Sequence, residues 1–97
     1  MEITIPDKYQ KDINTAVEIL KQEGCESIYL FGSLVTGNVH ENSDIDIGIK
    51  GLNGEKFITV YGQIDDNTCN DIDLIDFDEY DKMFNLLTSI GEAIKIG

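Results

Sequence analysis

Positive charge is scarce in this chain. Lysine and arginine together number seven against nineteen aspartates and glutamates, for a net charge of −12 over 97 residues. Such a surface repels the phosphates of nucleic acid, so neither a groove-reading or backbone-tracking role nor a direct nucleic-acid partner is expected. It suits divalent cations or a basic partner protein. Cysteine is nearly as rare. Cys25 and Cys69 are far apart and match no metal-ligand spacing. One disulfide between them is conceivable on composition, but reduced thiols in a cytoplasmic protein are the expectation. No run approaches the ~20 apolar residues of a membrane span, and the start MEITIPDKYQ has no basic or apolar leader pattern. A membrane role is therefore not expected. The single proline and 41% apolar content argue against wholesale disorder. The length predicts one small domain over residues 1–97 with a modest core.

What the chain does contain is centred on LFGSLVTGNVHENSDIDIGI, from Leu30 to Ile49. The run SIYLF reads as a buried strand ending at Gly32-Ser33. Glycine lets backbone approach a ligand, and a helix starting at Ser33 or Leu34 would aim amides at an anion. A polar loop with His40, a surface residue on this reading, leads to a second strand. There Asp44 and Asp46 share one face and Ile45, Ile47 and Ile49 take the other, the core face.

The flanking segments supply a scaffold. Ile13, Ala16, Val17 and Leu20 form the apolar stripe of a helix between Pro6 and Glu23, leaving Lys8, Lys11, Asp12, Glu18 and Lys21 for solvent. GLNG at 51–54 is a turn, and a helix is predicted from Glu55 to about Ile64. DIDLIDF is a second acidic strand, ending near Ile75, with Ile72 and Leu74 on one face and Asp71 and Asp73 on the other. Asp76 or Asp78 is then expected to cap a helix running through Tyr80, Met83, Phe84, Leu87 and Ile90, and the tail GEAIKIG allows one more short element. The order predicts an α/β (α+β) domain with a small mixed β-sheet flanked by helices, in which three strands gather Gly32-Ser33, Asp44 with Asp46, and Asp71 with Asp73.

Paired carboxylates on a strand, a glycine turn and a third carboxylate fit metal-dependent phosphoryl or nucleotidyl transfer. Such chemistry uses two Mg²⁺ ions about 3.5–4 Å apart bridged by carboxylates. Two competing schemes fail. Gly32 and Gly37 have P-loop spacing, but Asn38 and Val39 stand where Lys and Ser/Thr belong. Neither acidic run places a glycine as an EF-hand loop requires.

The combined pattern GS-x3-G-x6-D-x-D, with a later-strand carboxylate, resembles the signature of the DNA polymerase β-like nucleotidyltransferase superfamily. The chain's size, its SDIDIGI segment and the closing IDLIDF and IGEAIKIG are similar to minimal nucleotidyltransferases, the MNT-domain antitoxins of HEPN/MNT pairs. The resemblance implies the nucleotidyltransferase fold and Mg²⁺-dependent transfer of AMP from ATP to a tyrosine of a HEPN toxin, an RNase silenced by the modification. It further implies Gly32, Ser33 and Ser43 as nucleotide-binding residues. Asp44, Asp46 and Asp73 become the catalytic carboxylates and metal ligands, with Asp71 the alternative to Asp73. Where many relatives have a basic residue, this chain has Leu34, Val35 and Thr36, so triphosphate binding falls more heavily on metal and backbone amides. Two other readings stand beside this one. One is a non-catalytic module of the same fold that occludes its partner; the other is nucleotidylation of a small molecule, for which the chain offers little room.

Overall fold

A computed structural model describes residues 5–38 and 44–97. Ser43 and His40 lie outside the described residues. The elements run α1 (Asp7–Gln22), β1 (Ser27–Phe31), α2 (Ser33–Thr36), β2 (Ile45–Lys50), a 3₁₀ turn (Gly54–Lys56), α3 (Phe57–Asp66), β3 (Ile72–Asp76), α4 (Asp81–Ser89) and β4 (Ala93–Lys95). The strands form one mixed sheet in the order β3-β2-β1-β4. β1 is antiparallel to both β2 and β4, while β2 and β3 are parallel and joined by the crossover through α3. The fold class is as the sequence predicts, with β4 adding a fourth strand to the expected three.

Alternation divides the sheet into two unlike faces. Ile28 and Leu30 of β1, Ile45, Ile47 and Ile49 of β2, and Ile72 and Leu74 of β3 point to one side and are all buried. There they meet Ile13, Ala16 and Leu20 of α1 and Val60 and Ile64 of α3. The α1 stripe thus seats as its spacing predicts, and Gly24 follows the helix with φ +87°, a left-handed value open to glycine. The opposite face carries an aromatic layer. Phe77 stacks against Phe31, Tyr29 and Phe84, with ring centroids 5.4, 6.1 and 5.2 Å away. Gly48 makes this possible: a Cβ there would collide with the Phe77 ring.

Two expectations are corrected. Asp12 is not a solvent residue; it is 3% exposed and accepts the Asn70 N–H at 2.7 Å, the Cys69 N–H at 3.1 Å and the Asn70 side-chain amide at 2.8 Å. A helix-face pattern cannot show that a distant loop will fold over a carboxylate. Burial raises its pKa, but these donors and Lys11 outweigh that, and the net shift is downward. Nor does Asp76 or Asp78 cap α4. The helix starts at Asp81 after Tyr80, with no side-chain cap. Asp76 instead accepts the Asp78 N–H at 3.0 Å within the turn, and Asp78 accepts the Gly51 N–H at 2.7 Å. Both cysteines are free, Cys25 buried and Cys69 exposed. Among the described residues no helix is long and apolar enough to cross a membrane.

Asp12→Ala should leave the Cys69 and Asn70 donors unsatisfied and destabilise the domain by about 2 kcal/mol, read as a shift in urea midpoint at neutral pH. Because folding lowers the Asp12 pKa, its contribution is present at neutral pH and is lost as pH falls through the folded value. The gap between wild type and variant should therefore shrink in acid.

Candidate active site

The candidate site sits where β1 ends and β2 and β3 begin. β1 stops because Gly32 turns the chain at φ +76°, ψ −150°, a conformation that only glycine adopts freely. The short α2 follows, its turn closed by the Val35 and Thr36 N–H groups on the Gly32 carbonyl at 3.0 Å. Leu34 and Val35 of that turn are buried, which anchors it on the core. Gly32 has a second reason to be glycine. A Cβ at this position would overlap the Asp46 carboxylate. Backbone and carboxylate therefore touch across the β1–β2 junction, with Phe31 opposite Asp46 in the antiparallel register.

Parallel pairing sets the other side. Asp46 stands directly beside Asp73, as Ile45 stands beside Ile72. Asp71 falls one step outside β3, where its carbonyl accepts the Ile45 N–H at 2.9 Å. The register thus brings Asp73, rather than Asp71, alongside Asp46. Asp44 precedes β2 and is exposed, as is Asp73, whereas Asp46 is half-buried. Gly32, Ser33, Asp44, Asp46 and Asp73 consequently collect at one end of the sheet. What sequence reasoning missed is the glycine's role as space for a carboxylate. The signal was present as Gly32 at a strand end, but its partner depends on the β1–β2 register.

The electrostatics are those of an anionic site. Burial pushes the Asp46 pKa up to about 6, helped by the negative charges of Asp73 and Asp44 and by a hydrogen bond with Asp73. Lysine supplies every cationic side chain of this sequence, and none lies between Ser33 and Gly37. Among the described residues no group of three acidic, histidine or cysteine side chains forms a ready metal cluster. The donors nevertheless suit a hard divalent cation: adjacent carboxylate oxygens, one of them partly desolvated and repelled by its neighbours. Mg²⁺ keeps water and substrate oxygens among its ligands and does not need a full protein cage.

The family described as "Polymerase beta, Nucleotidyltransferase" matches residues 14–94. A chain of the solved structure "Crystal structure of the toxin-antitoxin with AMP-PNP" superposes with a TM-score of 0.55 at 30% identity, covering 66% of this chain. The present chain spans 56% of that chain's length. No curated protein matches the sequence.

Folding raises the Asp46 pKa, so this group's contribution to stability is full below its ordinary value of 3.8 and is lost as pH rises through about 6. Asp46→Asn should therefore stabilise the metal-free chain at pH 7, by about 1 kcal/mol after allowance for solvent screening. Thermal unfolding at pH 4.5 and pH 7 checks this: the variant's advantage should be larger at the higher pH.

Proposed function

Since the chain belongs to the polymerase β-like nucleotidyltransferase family, we propose that it transfers AMP from ATP to a hydroxyl of a partner toxin and so acts as an antitoxin. The observation that carries this reading is the in-register pair Asp46 and Asp73 beside the Gly32 backbone. A half-buried carboxylate with its pKa near 6 is an arrangement that a divalent cation would relieve. The toxin-antitoxin and AMP-PNP of the similar structure supply the partner class and the nucleotide class for the proposal. From the resemblance of the sequence to MNT antitoxins, the acceptor is a tyrosine of a HEPN toxin and the setting is the cytoplasm.

Each residue then has a task. Asp44 and Asp46 would hold Mg²⁺, with Asp73 the third carboxylate. The bound ion supplies charge neutralisation on the phosphate oxygens. Gly32 lets the backbone run close to the nucleotide, and Ser33 contributes its amide and hydroxyl to the phosphates, with Ser43 as a further contact. Asp73 accepts the proton of the attacking hydroxyl, whose oxygen bonds to the α-phosphorus as the bond to the bridging oxygen breaks and pyrophosphate leaves. The turn's buried Leu34 and Val35 add no charge, so carboxylate-bound cation and backbone donors carry the triphosphate.

One feature favours a second reading, neutralisation by occlusion alone. No cationic side chain stands in the phosphate turn from Ser33 to Gly37. Two measurements separate the readings. Incubation of the chain and its toxin with Mg²⁺ and ATP should add AMP to the toxin, seen as an intact-mass increment, and Asp44→Asn with Asp46→Asn should abolish it. A toxin that is inhibited without gaining mass, together with no Mg²⁺-ATP uptake by calorimetry, would leave only the occluding module. Removal of divalent ions by EDTA should stop transfer within the same assay, and apparent Mg²⁺ affinity should weaken as pH falls below about 6, where Asp46 binds a proton.

A further inference from the structure

Helix α4 is anomalous within this fold. It has nine residues and not one is buried, although Met83, Phe84, Leu86 and Leu87 lie within it. Nine residues are too few for a helix to hold itself in water, where ~12–15 are marginal. Packing must support it, and the chain supplies that on one side only. Phe84 meets Phe77 and Tyr29, with the Lys50 ammonium 4.2 Å from its ring centroid. Leu87 is half-buried beside it. The apolar arc continues past this contact. Met83, Leu86 and Ile90 recur at three- and four-residue spacing and remain 38%, 60% and 53% exposed.

A concavity lies beside the start of α4. Tyr80, itself exposed, lines a cavity of about 350 Å³ with Phe57, Ile58, Leu74, Ile75 and Asp76. Ile58 stands at 78% exposure on its rim. A cavity of this size accepts one large side chain. Apolar stripe and cavity together form the kind of face that marks a protein-binding surface.

Charge identifies the occupant. Between residues 65 and 81 the chain carries eight acidic residues and no basic one. Asp76, Asp78, Glu79 and Asp81 thus border the near end of the stripe. A second copy of the chain would bring another −12 to this rim, and anionic lipid would be repelled equally. We propose that the outer face of α4, with the cavity beside Tyr80, is the docking surface for an amphipathic helix of a basic partner protein. Its apolar residues cover Met83, Leu86 and Ile90, a large side chain enters the cavity, and its flanking lysines or arginines meet Asp78, Glu79 and Asp81. This deepens the function proposed above by giving the partner a seat outside the carboxylate site. It rests on that reading only for which partner arrives.

The surface can be tested without the partner. The probe is a fluorescent amphipathic peptide with a leucine face flanked by lysines, and its counterpart carries glutamate at the lysine positions. The lysine peptide should bind the full chain saturably, weaken as salt is raised, and slow hydrogen exchange of the α4 amides. The glutamate peptide should not bind. Leu86→Glu with Ile90→Glu, both at exposed positions, should lower affinity at least tenfold while the melting temperature stays near wild type. Asp44→Asn with Asp46→Asn should bind the peptide as wild type does, so loss of AMP transfer and loss of docking are separately visible. Three results would overturn docking: no change in α4 exchange, equal affinity for the Leu86→Glu, Ile90→Glu variant, or concentration-dependent self-association in sedimentation that this variant abolishes.

Discussion

The parallel pairing of β2 with β3 is the constraint on which the candidate site depends. A parallel neighbour cannot be reached by a tight turn, so the chain must cross over through α3 before Asp73 can stand beside Asp46. The crossover also seats α3 against the sheet, so the element that delivers the third carboxylate supplies Val60 and Ile64 to the core. A slip of one residue in this register would move Asp73 to the core face and bring Ile72 out. The apolar side of β3 therefore enforces the polar side. The same logic holds across the other junction, where β1 ends in a glycine that the Asp46 carboxylate requires to be bare.

The candidate site costs the fold stability. Three carboxylates near one strand end, one partly desolvated, form a cluster that opposes folding at neutral pH. Asp12 shows the opposite treatment of a buried acid: three donors from the loop before β3 satisfy it and hold its charge. One carboxylate staples the crossover to α1, and another is left short of partners. The contrast marks which of them is free to bind something else.

Much of this was legible in the sequence, for a physical reason. Period-2 alternation separates Ile45, Ile47 and Ile49 from Asp44 and Asp46 without knowledge of any neighbour, and Ile13, Ala16 and Leu20 define α1 in the same way. Gly32 announced the end of β1. What was hidden depends on pairs distant in the chain. Asp12 looked like any solvent-side acid because Cys69 and Asn70 are remote from it in sequence. Asp71 and Asp73 were equivalent by alternation, and only the register with β2 distinguishes them. The acidic run before α4 offered two ready caps, yet turn geometry drew Asp76 into the turn and Asp78 toward Gly51. β4 was visible only as a possible short element, since its three residues owe their strand to β1.

The bond from the Gly51 N–H to Asp78 has a mechanical meaning. It ties the loop after β2 to the loop after β3, at the end of the strands away from Gly32. At that same end the Phe77 N–H reaches the Ile49 carbonyl at 2.8 Å and the Glu26 N–H reaches the Lys50 carbonyl at 3.0 Å. The strands are thus tied to one another at the extremity away from the candidate site. The candidate carboxylates lie at the opposite extremity, so the loops that make this tie can vary without touching them.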